Sequence, residues 1–389
     1  MNLRAGIFLT LIAGALAWYA WTKPMDFRVY HYGARGVFDG SRPVYGVESG
    51  LGWPMHYRYP PLFLLLFAPF AWLPLGVSAA CWVIAKLAVL ALLIRSMRKR
   101  FPPKNWIVPV LLAGPFVIQD FRYGNAQFFV FALTAFALLL ARERPLLSAG
   151  ALSLGIAIKV WPAFFVPYLL VRKDWKVATW TLALTVVLTI VPSLYFGVGR
   201  NASLIGQWFR QEFATQTGKD EIWFPSQSLR GVLMRYLTVI DYSQVPDSNY
   251  RLVHVAAVDP QTVRVAWAAA AAAIYTMFLG IVYRRSGSDG WTEAGLGFCL
   301  VGLLEPFTQK YALVVLLWPA MIVAGVTDRP VVRNLIYIAI GIVLIQPLIP
   351  GSNMQRWMQV LGLDFAATLA TALALVLVLK LPHARSGTV

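Results

Sequence analysis

Charge is what this sequence has least of. Only 13% of its 389 residues are Asp, Glu, Lys or Arg, while 59% are hydrophobic. A water-soluble domain carries about 25% charged residues, so the scarcity excludes an ordinary soluble protein and leaves lipid as the main solvent. Acidic residues are rarer still, 17 against 34 basic ones, for a formal net charge of +17. In a soluble chain that excess would point to nucleic acid. Here most basic residues flank apolar runs, so the positive-inside rule accounts for them first, with anionic lipid headgroups as counterions. There are two cysteines, Cys81 and Cys299. Both sit inside apolar stretches, so neither a disulfide nor a thiolate metal site is expected. His31, His56 and His254 lack metal-ligand spacing. There is no HExxH, no glycine-rich phosphate loop, no paired-carboxylate motif and no GxSxG elbow. Period-two alternation is missing too, which excludes a β-barrel.

What remains is a succession of apolar runs of membrane-spanning length. They predict an all-α polytopic membrane protein, a single integral membrane domain over 1–389. The first run, LRAGIFLTLIAGALAWYAW, ends in interfacial aromatics without a small-residue cleavage site, and reads as a retained helix. Cationic clusters at 95–100, 142–144, 172–176, 284–285, 327–333 and the tail (Lys380, His383, Arg385) are assigned to the cytoplasm. Segments 22–60, 120–125, 198–262, 305–310 and 350–357 then face outward. The stretch 146–171 has cationic clusters at both ends but is too short for two spans at about 1.5 Å per residue. It reads as two short broken helices meeting at AIKVWPAF, with Lys159 and Pro162 at the junction. Such breaks are tolerated only where they line an enclosed cavity. PPLFLLLFAPFAWL, with Pro69 and Pro74, reads as an interfacial or re-entrant helix before a span from about Val77. The count comes to about twelve crossings with both termini cytoplasmic. Segments 22–60, with amphipathic helices, and 198–262 are long enough to form a small extracytoplasmic layer.

The outward face holds the candidates. Asp26 follows the first helix, as a solvated end charge or a group in a cleft; on a helix it shares a face with Tyr30. Tyr30, His31 and Tyr32 serve as ligand contacts or as an interfacial belt. Arg58 and Arg122, each followed by tyrosine (Tyr59 and Tyr123), either snorkel or bind an anion. Asn125 and Gln127 open a helix, with Asn125 as N-cap or ligand contact. Lys159 is an ionisable group in an apolar stretch, functional by default; it binds an anion or closes a buried ion pair. WFPSQSLRGVL offers Gln227, Ser228 and Arg230 as a polar wall or as a capped loop helix. EPFTQKYALVV brings Glu305, Gln309 and Lys310 outward, where Glu305 and Lys310 either pair or bind ligand. One carboxylate, several cations and many aromatics suit a lipid-linked sugar phosphate: cations hold phosphates and sugars stack on aromatics.

These elements occur in a familiar order: DFRVYHYGARGVFDGSRPVYG, YRYPPLFLLLFAPFAWLP, GNAQFFVFAL, AIKVWPAFFVPYLL and SQSLRG. The sequence resembles the polyprenol-phosphate-mannose-dependent mannosyltransferases of glycosyltransferase family 87, in the membrane-embedded GT-C fold class. The resemblance implies sugar transfer from a polyprenyl-phosphate donor to a lipid or glycan acceptor, outside a bacterial plasma membrane, with inversion and without metal or other cofactor. It implies Asp26 as general base and Lys159 on the donor phosphate, and the outward cations Arg58, Arg122 or Arg230 are expected beside Lys159. It leaves Tyr30, His31, Tyr59, Asn125, Gln127, Gln227, Ser228, Gln309 and Lys310 as sugar or acceptor contacts. Two positions depart from the family: Ala126 replaces the glycine of NGQ, and Gln309 and Lys310 stand where the family carries Trp and His. With one carboxylate at the site, a single displacement is expected. The rival reading is a transporter or flippase of a lipid-linked or anionic solute, which shares the broken helix with its lysine. It predicts an inverted repeat between halves, and none is evident.

Overall fold

The computed structural model describes residues 3–46, 55–101, 106–215, 219–241, 253–288, 290–326, 333–335, 337–338, 341 and 352–380. The cationic stretch 327–332, the tail from 381 and the loop parts 47–54, 216–218 and 242–252 lie outside them. Helices are the only regular secondary structure among the described residues, and the chain divides into two compact units: residues 1–100 with 116–218, and 101–115 with 219–389.

In the first unit α1 (Leu3–Thr22) stops at Lys23–Pro24, and α2 (Met25–Phe38) starts immediately after. Proline has no N–H and a fixed φ, so it favours the start of a helix over its interior. α3 (Pro61–Ala71) is short and contains Pro69; α4 (Leu75–Arg100) is long and ends on Arg98, Lys99 and Arg100. A short apolar helix is thus followed by one long and apolar enough to span. α5 (Ile107–Tyr123), which belongs to this unit from residue 116 on, and α6 (Gln127–Leu140) are joined by a tight turn, and α7 (Pro145–Ile158) runs up to Lys159. There the helix breaks as expected: Lys159 is extended (φ −151°, ψ 128°), a 3-10 turn covers Trp161–Phe164, and α8 (Phe165–Val171) follows. The cause is Pro162, whose ring would meet the Ile158 carbonyl if the helix continued. α9 (Trp175–Ile190), α10 (Ser193–Phe196) and α11 (Val198–Thr215) complete the unit. α11 reaches the first loop: Gln211 Nε2 donates to the Tyr57 carbonyl at 2.8 Å, and Trp208 Nε1 donates to the Arg58 carbonyl at 3.1 Å. These two bonds tie α11 to the segment before α3. An aromatic cluster of Phe27, Phe63, Phe67, Phe70 and Trp82 ties α2, α3 and α4 together at ring separations of 5.1–6.4 Å.

The second unit contains α12 (Lys219–Ile222), α13 (Leu229–Leu237), α14 (Pro260–Arg284), α15 (Trp291–Leu304), a 3-10 stretch Lys310–Leu316, α16 (Leu317–Val326), α17 (Ser352–Val360) and α18 (Leu363–Lys380). Trp318 is its centre, fully buried between Phe101, Trp291 and Phe298, with its indole N–H on the Trp291 carbonyl.

Among the described residues three helical segments, Leu75–Arg100, Trp175–Phe196 and Pro260–Arg284, are long and apolar enough to cross a membrane. The bent pair Met354–Val360 and Leu363–Leu379 makes a fourth if it acts as one span. α9 and α14 leave large apolar side chains uncovered, among them Val186 (60% exposed) and Met277 (68% exposed). Such helices need lipid as their solvent. The other apolar helices, including α3, α6, α7, α15 and the broken segment Trp161–Val171, are shorter than a full span.

Candidate functional site

The candidate site lies within the first unit, at the start of α6. The first backbone N–H groups of a helix have no partner inside it. Here three are met by side chains from elsewhere: Ala126 N–H by the Tyr30 hydroxyl (3.3 Å), Gln127 N–H by Asn125 Oδ1 (2.9 Å) and Phe128 N–H by Asp120 Oδ2 (3.2 Å). Asn125 is not the N-cap residue, which is Ala126, but it stands just before it and meets the first helical N–H, and it does more. Its Oδ1 accepts from a backbone N–H, so its other terminus must be the amide nitrogen. That nitrogen donates to Asp26 Oδ2 at 2.9 Å.

Proton directions can be followed further. The Tyr59 hydroxyl donates to Asn125 Oδ1 at 3.2 Å and has no second proton, so the Tyr30 hydroxyl, 2.8 Å away, donates to Tyr59. The chain of donors runs Ala126, Tyr30, Tyr59, Asn125, with Asn125 donating onward to Asp26. Tyr30 and Tyr59 are buried and serve this network. Tyr32, by contrast, is 41% exposed.

The turn before α6 explains why Asn125 sits where it does. Gly124 has φ +70°, the left-handed region, and a Cβ there would stand 2.6 Å from Phe27 Cβ. Only glycine lets this turn lie directly against α2 beside Asp26. Ala126 adopts φ −81°, ψ −5°, which any residue accommodates, so the departure from the family's NGQ pattern costs no strain.

Asp26 itself is half-buried, with its carboxyl enclosed by protein. Desolvation pushes its pKa up to about 6, against the lowering effects of the Asn125 hydrogen bond and of Lys86, Lys159 and Arg58. Lys159, half-buried at the helix break, donates to Gln127 Oε1 at 2.8 Å. The Gln127 amide nitrogen is buried without a partner.

Two residues absent from the sequence expectations complete the cluster. Lys86 of α4 and Asp120 of α5 are both fully buried and form a close ion pair; Lys86 Nζ also donates to the Asp120 carbonyl at 3.1 Å. The expectation of one carboxylate at the site is therefore corrected: Asp26 and Asp120 interact electrostatically across it. The signal was available, since Lys86 interrupts an apolar run as Lys159 does.

The remaining candidates have other partners. His31 is buried and donates Nε2–H to the Leu73 carbonyl at 2.9 Å; burial keeps its pKa below the usual value. Arg122 lies over the Tyr19 ring and donates to its hydroxyl at 3.2 Å. In the second unit Ser228 caps α13 by accepting from Gly231 N–H at 3.1 Å, and the buried Gln227 bonds the Phe224 and Gln359 carbonyls. Arg230 is held by the buried Glu221 at 2.9 Å, which also takes Arg264. The capped-loop reading of WFPSQSLRGVL is the one this geometry supports. Gln309 precedes the 3-10 stretch, and Lys310 is buried 3.8 Å from Asp364, a partner the sequence did not suggest. Among the described residues no group of three or more His, Cys, Asp or Glu side chains is arranged to hold a metal ion.

With only helices among its described residues, uncovered apolar helices and a buried ion pair near a helix break, this is an integral membrane protein built around a polar site. Its class becomes specific by comparison. The model of glycosyltransferase family 87 matches residues 57–304, more than half of the chain, and the chain belongs to that family. A polyprenol-phosphate-mannose-dependent alpha-(1-2)-phosphatidylinositol mannoside mannosyltransferase of Mycobacterium tuberculosis (strain ATCC 25618 / H37Rv) is 30% identical over 214 residues, 47% of this chain and 49% of the relative. A polyprenol-phosphate-mannose-dependent alpha-(1-2)-phosphatidylinositol pentamannoside mannosyltransferase of Mycolicibacterium smegmatis (strain ATCC 700084 / mc(2)155) is 25% identical over 251 residues, 59% of this chain and 58% of the relative. The chain spans about half the length of the curated relatives it matches. A crystal structure of ArnT from Cupriavidus metallidurans bound to undecaprenyl phosphate aligns with 97% of this chain and 77% of its own, at 13% identity and a TM-score of 0.40, a likeness too distant to inform the site.

Proposed function

We propose that this protein is a membrane glycosyltransferase of the GT-C type that moves a hexose, mannose first, from a polyprenyl-phosphate donor to a lipid or glycan acceptor at the extracytoplasmic face. The observation that carries the reading is one cluster holding a desolvated carboxylate, Asp26, electrostatically coupled to Lys159 at a helix break. Family membership supplies the reaction class, and the relatives' names supply mannose and a phosphatidylinositol mannoside as the first donor sugar and acceptor to test.

The reaction in this reading is a single displacement, with Asp120 taken up by Lys86 and the Phe128 N–H and Asp26 left as the acting carboxylate. The acceptor hydroxyl oxygen attacks the anomeric carbon as the bond to the donor phosphate oxygen breaks, and the hydroxyl proton passes to Asp26. A base with a pKa of about 6 is ionised at neutral pH yet holds a proton better than an exposed aspartate. Asn125 fixes the carboxylate's orientation through its amide N–H. The leaving polyprenyl phosphate needs charge stabilisation more than a proton. Lys159, with the Gln127 amide and Arg58 nearby, offers donors for it in a partly dehydrated site. Arg230 and Arg122 are left out of this set because Glu221 and Tyr19 engage them. The test is transfer by the purified protein in lipid from a panel of polyprenyl-phosphate sugars, with product anomer read by NMR and EDTA in a parallel sample. Inverted product, unaffected by EDTA, supports the reading. No product with any donor, or retention of configuration, overturns it.

A further inference from the structure

We propose that Lys86 and Asp120 form a buried positioning pair for Asp26, setting both the geometry of the turn that orients its carboxylate and the charge that its carboxylate meets. The inference rests on the reading of Asp26 as the base and adds two residues to it.

The geometric part is built from hydrogen bonds. Asp120 holds the turn on both sides: its backbone carbonyl accepts from Asn125 N–H at 3.1 Å, and its Oδ2 accepts from Phe128 N–H at 3.2 Å. Lys86 reaches the same residue twice, through the Asp120 carbonyl and Oδ1, and lies 5.1 Å from the Phe121 ring centroid. Asn125, the residue donating to Asp26, is therefore pinned by a pair that does not itself touch the carboxylate. A buried ion pair is weak evidence for stability, since apolar replacements of similar volume are often neutral. A role in the fold alone leaves its position beside Asp26 unexplained.

The electrostatic part follows from what faces Asp26. Lys86 faces it from α4, Asp120 and Tyr123 from α5, Lys159 from the break after α7, and Arg58 and Tyr59 from the segment before α3. Lys86 favours the ionised carboxylate and Asp120 opposes it. Removing one partner leaves the charge of the other uncompensated, so the two single substitutions act on Asp26 in opposite directions. A pair that only supports the fold has no reason to do so.

The experiment titrates Asp26 directly, in the full chain in nanodiscs. Dicyclohexylcarbodiimide labels protonated carboxyls in apolar surroundings, and the Asp26 peptide is quantified by mass spectrometry across pH. In Lys86→Met the labelling midpoint should rise by about 1 in pH, and in Asp120→Asn it should fall by about 1. The double variant should return close to wild type, and it keeps the inference testable if one single variant does not fold. Midpoints that stay put, or that move the same way in both single variants, overturn the pair's role, as does a double variant displaced from wild type by as much as either single one. Because labelling needs no sugar donor, these outcomes are independent of the transfer assay. Absent transfer with opposed midpoints would sink the enzymatic reading and leave the coupling standing.

Discussion

Replacing Asp26 by asparagine should make this protein more stable while disabling it. The substitution keeps the side chain's shape and removes a charge that burial penalises. A carboxyl titrating at about 6 against an ordinary value of 3.8 carries about 3 kcal/mol of uncompensated desolvation at neutral pH. The sign follows from linkage. The folded state binds the Asp26 proton more tightly than the unfolded state, so this carboxyl's contribution to stability is greatest below pH 3.8 and is lost as pH rises through about 6. The asparagine side chain does not titrate, so the stability gained in Asp26→Asn should be full above pH 6, shrink through the interval below it, and vanish in acid. Thermal unfolding of wild type and variant in the same detergent, scanned from pH 4 to 8, measures this. A variant less stable than wild type at pH 7.5, or a difference that ignores pH, would refute the assignment of a desolvated, ionised carboxylate. Functional sites commonly trade stability for activity in this way.

Three further outcomes follow from the same geometry. The rate of sugar transfer should rise with pH and level off above about 6, with about a tenth of the plateau rate at pH 5; a limb near pH 4 would mean that another group titrates. Lys159→Ala should weaken donor binding by about 10- to 100-fold, the loss of one charge-assisted hydrogen bond, with acceptor KM little changed; unchanged donor affinity in isothermal titration would remove the phosphate role. Gly124→Ala forces a Cβ into φ +70° and against Phe27, which should destabilise the first unit by about 1–3 kcal/mol and lower transfer with it, whereas Ala126→Gly should be mild.

Local chemistry made part of this legible in the sequence. Pro162 announced the break at Lys159, Pro69 marked a short helix, and Ser228 capped the helix that followed it. Each of these depends on residues within a turn or two of one another. Asp26 and Asn125 were both candidates, but their contact joins residues 99 positions apart, and no periodicity encodes it. Lys86 stands out in its apolar run, but its pairing with Asp120, 34 positions away, is hidden for the same reason. No motif announces the pairing of Arg230 with Glu221 or of Lys310 with Asp364, which the fold sets. The family match begins at Tyr57, downstream of Asp26, so the base assignment depends on the first-loop motif and on the contact with Asn125.

The central claim is that Asp26 takes a proton from an acceptor hydroxyl while a sugar leaves a polyprenyl phosphate. Single-turnover transfer of radiolabelled mannose from polyprenyl-phosphate mannose to a phosphatidylinositol mannoside, comparing wild type with Asp26→Asn at pH 7.5, tests it most directly. The account predicts product from wild type and a chemical step slowed by about 10²- to 10⁴-fold in the variant, with donor binding retained. Equal rates from the two proteins would contradict it.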